Sequence, residues 1–282
     1  MISFCKFHGF GNDYIVIEKG NIPADLPPSE LAKAICHRHT GAGADGIAVI
    51  RRIDSGDADY FCEIVNPDGS IAGFSGNGTR CAVAYLYYKK LWSERLLNLE
   101  VRSGIKKYEL VEEMSAGHYW FRAEIGKPRF GSDEIPVKTG VSQNQVIDHK
   151  LMLGDVAYAI SGVNVGNPVA CIFVDDFDLD WRDVGKELEV HQAFSERANI
   201  VFVKVLDREN IELRIWERGA GETSASGTCA SGAAVVSAFT GRTGRQVSVH
   251  SPGGTTQIEW SSDDEILITG RADLAYCGEW PL

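Results

Sequence analysis

Hydrophobic and polar positions alternate with a period of two over much of the chain, and a helical period replaces it at only a few places. β-rich runs at 2–7 and 14–18 flank a turn-forming GFGND segment. A Pro-Pro-Ser-Glu start at 27–30 precedes LAKAICHRH at helical spacing. After the glycine-rich GAGADG at 41–46, strands resume at 47–53 and 60–65. The segment 79–89 contains AVAYLYYKK, with apolar residues on every side, as a buried helix requires. Strands follow at 97–101, 107–111 and 119–125. The stretch 127–145 is richer in Pro, Gly and Ser and reads as a crossing into a second half. There the pattern predicts strands at 156–160, 169–174, 200–205, 211–216, 246–250, 256–260 and 265–268. An amphipathic helix is expected at 180–190 and a second small-residue helix at 228–239. The expectation is an α+β fold of two similar halves, each a mixed sheet or barrel wrapped around one central helix. The boundaries are 1–127, joined by the C-terminal segment 270–282, and 128–269.

Each central helix is preceded by the same kind of loop. The first reads NPDGSIAGFSGNGTRC from Asn66 to Cys81; the second reads ERGAGETSASGTC from Glu217 to Cys229. Both end in a Ser-Gly pair, Ser75-Gly76 and Ser226-Gly227, at a helix start. A helix N-terminus presents unpaired N–H groups and a partial positive charge. Gly76, Asn77, Gly227 and Thr228 therefore sit where backbone donors would grip a carboxylate without a lysine. For one loop alone, a capped helix start explains the sequence; the pair points to a site. Asn12, Asn167 and Asn199 lie in similar turn sequences, where asparagine is usually a turn former. Arg218 follows Glu217 at a strand end. Beside the second loop, Arg218 would hold a carboxylate at two points and Glu217 would take an ammonium.

Composition narrows the classes. A formal net charge of −11 without a basic run argues against nucleic acid or an anionic membrane as partner. No apolar run reaches the length of a membrane span, and no leader-like start is present, so a cytoplasmic protein is expected. The seven cysteines form no CxxC pair and show no disulfide-like spacing, which predicts reduced thiols. His37 and His39 lie on an expected surface helix and the other histidines are scattered, so no metal is expected; no nucleotide loop is present either.

With HGFGNDY, GAGADG, NPDGS…SGNGTRC, VGNP…FVDD, ERAN and ERGAGET…SGT in this order, the chain resembles the diaminopimelate epimerase family over nearly its whole length. The resemblance implies two α/β halves with a site in the cleft, and neither metal nor pyridoxal phosphate. It implies a cytoplasmic homodimer, with the region near Tyr276 as a candidate interface. The implied reaction interconverts LL- and meso-diaminopimelate. One base removes the α-proton, and an acid on the other face returns one. By the same resemblance Asn66, Asn167, Asn199 and Arg218 read the distal end of the substrate, and Asn12 matches a loop asparagine. Glu217 lies near the α-amino group, and Gly76, Asn77, Gly227 and Thr228 hold the α-carboxylate. The partner is thus a small amino acid with two charged ends.

The chain departs from that pattern where the protons move. The family's two acid/base cysteines are Ser75 and Ser226, and the histidine after Gly-Asn-Pro is Val169. A thiol ionises near neutrality at a helix start, and a serine hydroxyl does not. The serines then need a partner such as Glu217, water or each other. Otherwise the chain is a natural or engineered variant that binds without epimerising, or a phenazine-type isomerase using a carboxylate. Cys81 reads as core. Cys229, in the first turn of its helix where thiol acidity could be raised, reads first as a buried cysteine, with a direct role as the minor alternative.

Overall fold

The computed structural model describes residues 1–53 and 56–282. In chain order its elements are β1 (Ile2–Gly9), β2 (Asn12–Glu18), α1 (Pro28–Ile35), β3 (Gly46–Arg52), β4 (Tyr60–Val65), β5 (Ile71–Ala72), α2 (Gly76–Tyr88), β6 (Leu96–Val101), β7 (Gly104–Ser115) and β8 (His118–Gly126). Then follow β9 (His149–Leu153), β10 (Val156–Asn164), β11 (Pro168–Phe173), α3 (Trp181–Glu189), β12 (Asn199–Val205), β13 (Asn210–Glu217), β14 (Gly221–Thr223), α4 (Gly227–Phe239), β15 (Gln246–Ser251), β16 (Gly254–Trp260) and β17 (Ile266–Trp280). The chain forms two compact units, Met1–Ala123 with Thr269–Leu282, and Glu124–Ile268.

The first unit closes on itself. β1 pairs antiparallel with β2, β2 parallel with β3, β3 antiparallel with β4, β4 parallel with β6, and β6 antiparallel with β7, which pairs antiparallel with β8. β17 pairs with both β8 and β1, completing an eight-stranded barrel. The two parallel pairings need crossovers, which α1 and α2 supply. α2 lies against β1, β2, β3 and β4. It is buried without a break from Asn77 to Tyr87.

The second unit repeats this connectivity. β10 pairs antiparallel with β11, β11 parallel with β12 across α3, β12 antiparallel with β13, β13 parallel with β15 across α4, and β15 antiparallel with β16. β9 adds antiparallel to β10. α4 is buried from Cys229 to Ser237 and touches β10–β13, β15 and β16. Its Ala-Gly-Ser surface lets strands come close: a Cβ placed on Gly232 would lie 3.0 Å from Val169 Cβ and Cγ1. In both units the central helix follows a strand that folds back through a two- or three-residue hairpin strand, β5 or β14. The expected α+β fold, with a mixed sheet or barrel around a central helix, is what the chain forms.

One expectation fails. The cysteines are not all reduced: Cys5 and Cys277 form a disulfide across 272 residues of sequence. They face each other in the antiparallel β1–β17 register, with Cα atoms 3.9 Å apart. Cross-strand neighbours come within bonding reach whatever their separation in sequence, so spacing gave no sign of the pair. The other five cysteines are free and buried.

Candidate functional site

Strand direction gathers the predicted residues at one end of each unit. In the first unit Asn12 starts β2, Asn66 follows the antiparallel strand β4, and Ser75 starts α2; Asp45, not among the predicted residues, precedes the parallel strand β3 at the same end. In the second unit Asn167 precedes β11, Asn199 starts the parallel strand β12, Glu217 ends the antiparallel strand β13, Arg218 follows it, and Ser226 starts α4. Residues scattered through each half of the sequence thereby share a strand edge.

Ser75 and Ser226 have nearly the same extended backbone, φ −138°, ψ 117° and φ −144°, ψ 122°. Their hydroxyls are used differently. Ser75 Oγ accepts from Gly78 N at 3.1 Å, capping α2, and donates to the Tyr14 hydroxyl at 3.0 Å. Ser226 Oγ makes no cap bond. It donates to Glu217 Oε2 at 3.0 Å and lies 3.4 Å from Thr228 Oγ1. The N–H groups of Gly76 and Asn77, and of Gly227 and Thr228, fall outside the helices' own ladders and suit an anionic ligand.

Glu217 is a half-buried carboxylate. Thr223 Oγ1 donates to its Oε1 at 2.7 Å. Among the described residues it has no ion-pair partner. Burial raises its pKa above the ordinary glutamate value, and the Thr223 and Ser226 hydrogen bonds offset this only in part. The turn behind it reverses through Gly219 (φ 76°) and Gly221 (φ 78°), a left-handed geometry suited to glycine. Glu189 at the end of α3 holds that turn, accepting from Gly219 N at 2.9 Å and from Trp216 Nε1 at 2.8 Å.

The other predicted residues have clear places. Asn77 Nδ2 donates to Asn12 Oδ1 at 3.1 Å, and Asn12 Nδ2 donates to Asp45 Oδ2 at 2.7 Å. The buried Arg80 also bonds Asn77 Oδ1, and its Nε donates to the Arg271 carbonyl at 2.9 Å. Asp13 anchors the Asn12 loop through Lys6 at 2.7 Å and Arg38 at 2.9 Å. Burial opposes its ionisation, but those two cations outweigh burial and hold its pKa at about 2. Asn66 shapes the turn before β5 by donating to Ser70 Oγ at 2.9 Å. Asn199 is buried and braces backbone, donating to the Pro168 carbonyl at 3.1 Å and accepting from Arg218 N at 2.9 Å. Asn167 Nδ2 donates to Thr228 Oγ1 at 3.3 Å, while its buried Oδ1 has no partner among the described residues. Arg218 is exposed, with Nη1 donating to the Glu196 carbonyl at 3.0 Å.

Two further residues of interest are buried. Cys229 is fully buried; desolvation, reinforced by the charge of Glu217, raises its pKa well above that of a free thiol. It packs in the core. Val169 is also fully buried, against Gly232 of α4. Sequence reasoning passed over Tyr14, the partner of Ser75. Its place in HGFGNDY read as a strand start, and 61 residues separate the two hydroxyls. Among the described residues no His, Cys, Asp and Glu cluster could hold a metal.

The diaminopimelate epimerase family model matches residues 4–130 and 161–275. Curated diaminopimelate epimerases share 39% identity with the chain. The one from Pelotomaculum thermopropionicum aligns over 99% of this chain and 98% of its own length; that from Moorella thermoacetica aligns over 99% of each. Solved structures share the fold at low identity. A probable proline racemase from Agrobacterium radiobacter has a TM-score of 0.72 at 16% identity, covering 100% of this chain and 93% of its own. A phenazine biosynthesis protein of the PhzF family from Bacillus anthracis has a TM-score of 0.69 at 16% identity, covering 100% and 99%. With the family's sequence pattern matched along both units, the chain belongs to the diaminopimelate epimerase family.

Proposed function

We propose that the protein is an isomerase that interconverts LL- and meso-diaminopimelate by proton exchange at the α-carbon, serving lysine and cell-wall precursor synthesis. The observation that carries this, beyond family membership, is the Ser226–Glu217 hydrogen bond at 3.0 Å beside an open helix start. A serine hydroxyl alone is a poor base. Joined to a carboxylate with no cationic partner, it can take a proton as it passes its own to Glu217. The α4 N–H groups of Gly227 and Thr228 stabilise charge that grows on the α-carboxylate during proton removal. The corresponding donors of α2 are Gly76 and Asn77, held in place by Asn12 and Arg80. Asn66, Asn167, Asn199 and Arg218 set preference for a second charged end: Asn167 offers an unpartnered buried oxygen, and Arg218 an exposed guanidinium.

The phenazine-type alternative also moves protons with a carboxylate, but the curated relatives at 39% identity favour the epimerase reading. The test is chiral separation of products after incubation with LL-diaminopimelate. Accumulation of the meso isomer is expected. LL substrate unchanged at high enzyme concentration, in a protein shown to be folded, would overturn the assignment.

A further inference from the structure

Among the described residues, the hydroxyl at the first helix start is hydrogen-bonded to no carboxylate; its side-chain partner is a phenol. We propose that Tyr14 acts through Ser75 as the second proton relay of the reaction, so that the two serines are served by different acids, a tyrosine and a glutamate. This rests on the epimerase reading above.

Three observations support it. The two hydroxyls lie 3.0 Å apart, and Ser75 Oγ also accepts the Gly78 N–H at 3.1 Å, which favours negative charge on the serine oxygen as a proton leaves it. The ring is held in place by two glycines. A Cβ on Gly46 would come within 2.8 Å of Tyr14 Cε1, and a Cβ on Gly78 within 2.9 Å of the same atom. Any larger residue at either position would push the phenol from the serine. Finally, the internal repeat marks the position. Tyr14 is two residues beyond Asn12 and pairs with Gly46 at the start of β3; Val169 is two residues beyond Asn167 and pairs with Asn199 at the start of β12. The equivalent strand position thus carries a polar ring in the first unit and an aliphatic side chain in the second. In the second unit Glu217 supplies the partner instead.

The proton count balances without a redox partner. In the proposed reaction Ser226 Oγ takes the α-proton and gives its own proton to Glu217, leaving the electron pair on the α-carbon. Ser75 returns a proton to that carbon and takes one from Tyr14, leaving a phenolate. In the reverse direction the phenolate takes the Ser75 proton, and the acid form of Glu217 returns one through Ser226. Exchange with water resets both groups. Tyr14 touches no substrate in this scheme; it positions and recharges the Ser75 hydroxyl.

The experiment compares Tyr14→Phe with the parent enzyme in deuterated water, starting separately from LL- and meso-diaminopimelate. Inversion should fall by about 100-fold or more, the scale of a lost acid–base partner. Deuterium should still enter the α-position of one isomer without inversion, because the Ser226–Glu217 arm remains. A purely structural lesion would reduce exchange into both isomers alike. Adding Ser75→Cys to Tyr14→Phe should recover inversion, since a thiol at a helix start ionises without a phenol. Tyr85→Phe, which removes the α2 hydroxyl that donates to Glu18 at the end of β2, is the control and should leave turnover unchanged. A Tyr14→Phe protein inverting within about threefold of the parent, a barrier change under 1 kcal/mol, would overturn the relay. So would a folded Tyr14→Phe protein that loses exchange into both isomers equally. An inactive parent would instead overturn the epimerase reading itself.

Discussion

Ser75 and Ser226 begin their helices with the same backbone and spend their hydroxyls on different partners. Ser226 gives its proton to Glu217, whose pKa burial raises. Only the ionised carboxylate can accept, so activity should rise with pH through a value above that of an ordinary glutamate. In Glu217→Gln that acid limb should vanish together with at least about 100-fold of kcat, read from a pH–rate profile. The same raised pKa makes the folded state bind the proton more tightly than the unfolded chain, so ionising Glu217 costs stability as pH rises between the two values. Asp13 behaves oppositely. Its folded pKa of about 2 lies below the unfolded 3.8, so its contribution is present above 3.8 and is lost as pH falls toward 2. The shift corresponds to about 2 kcal/mol. Asp13→Asn should therefore lower Tm at neutral pH and lose little further stability at pH 2; equal losses at both values would contradict the Lys6–Arg38 account. The sequence made Glu217 legible because it adjoins Arg218 and opens a loop with an obvious twin. The use of Tyr14 was not legible: nothing local distinguishes a phenol that caps a strand from one that reaches a serine 61 residues on.

The repeated unit of structure is a strand, a crossover helix, two antiparallel strands, a short hairpin strand and a central helix. Much of this was visible in the sequence, because alternation marks strands and all-round apolar segments mark buried helices. The central helices begin at Gly76 and Gly227, earlier than the apolar pattern suggested for the first, because the cap and the orphan N–H groups lie in the polar loop. The strand β9 was missed: His149–Leu153 pairs with β10 and is mostly half-buried or exposed, which blurs its apolar alternation. β17 was read only to 268; beyond Arg271 its side chains become more exposed, and the apolar alternation fades although pairing with β1 continues to Trp280. Packing at the central helices gives an element-scale prediction. Gly232→Ala would place a methyl 3.0 Å from the branched Val169 side chain and should cost about 1–3 kcal/mol by denaturant unfolding. Val169→Ala should relieve part of that cost in the double variant. Additive losses would show that the two positions do not meet.

For the molecule as a whole, the disulfide is the main correction to the sequence reading. It joins the first strand to the last and so fastens the seam that closes the eight-stranded barrel. Alkylation of the unfolded, unreduced chain should label five of the seven cysteines, with Cys5 and Cys277 protected. Cys5→Ser should lower stability by about 2–4 kcal/mol, the usual effect of removing a long-range cross-link. Seven labelled cysteines would show the seam open. Family membership and the paired helix starts were legible from long motifs in order. What the motifs could not show was which side chains stand beside the two serine hydroxyls, because strand pairing rather than sequence proximity brings them there. The central claim is that Ser226–Glu217 and Ser75–Tyr14 move protons at the α-carbon of diaminopimelate. The most direct measurement is the α-hydrogen of LL-diaminopimelate followed by mass and NMR in deuterated water with the parent enzyme. The account predicts one deuterium entering the α-position with formation of the meso isomer. Retention of the α-proton by every substrate molecule at high enzyme concentration would contradict it.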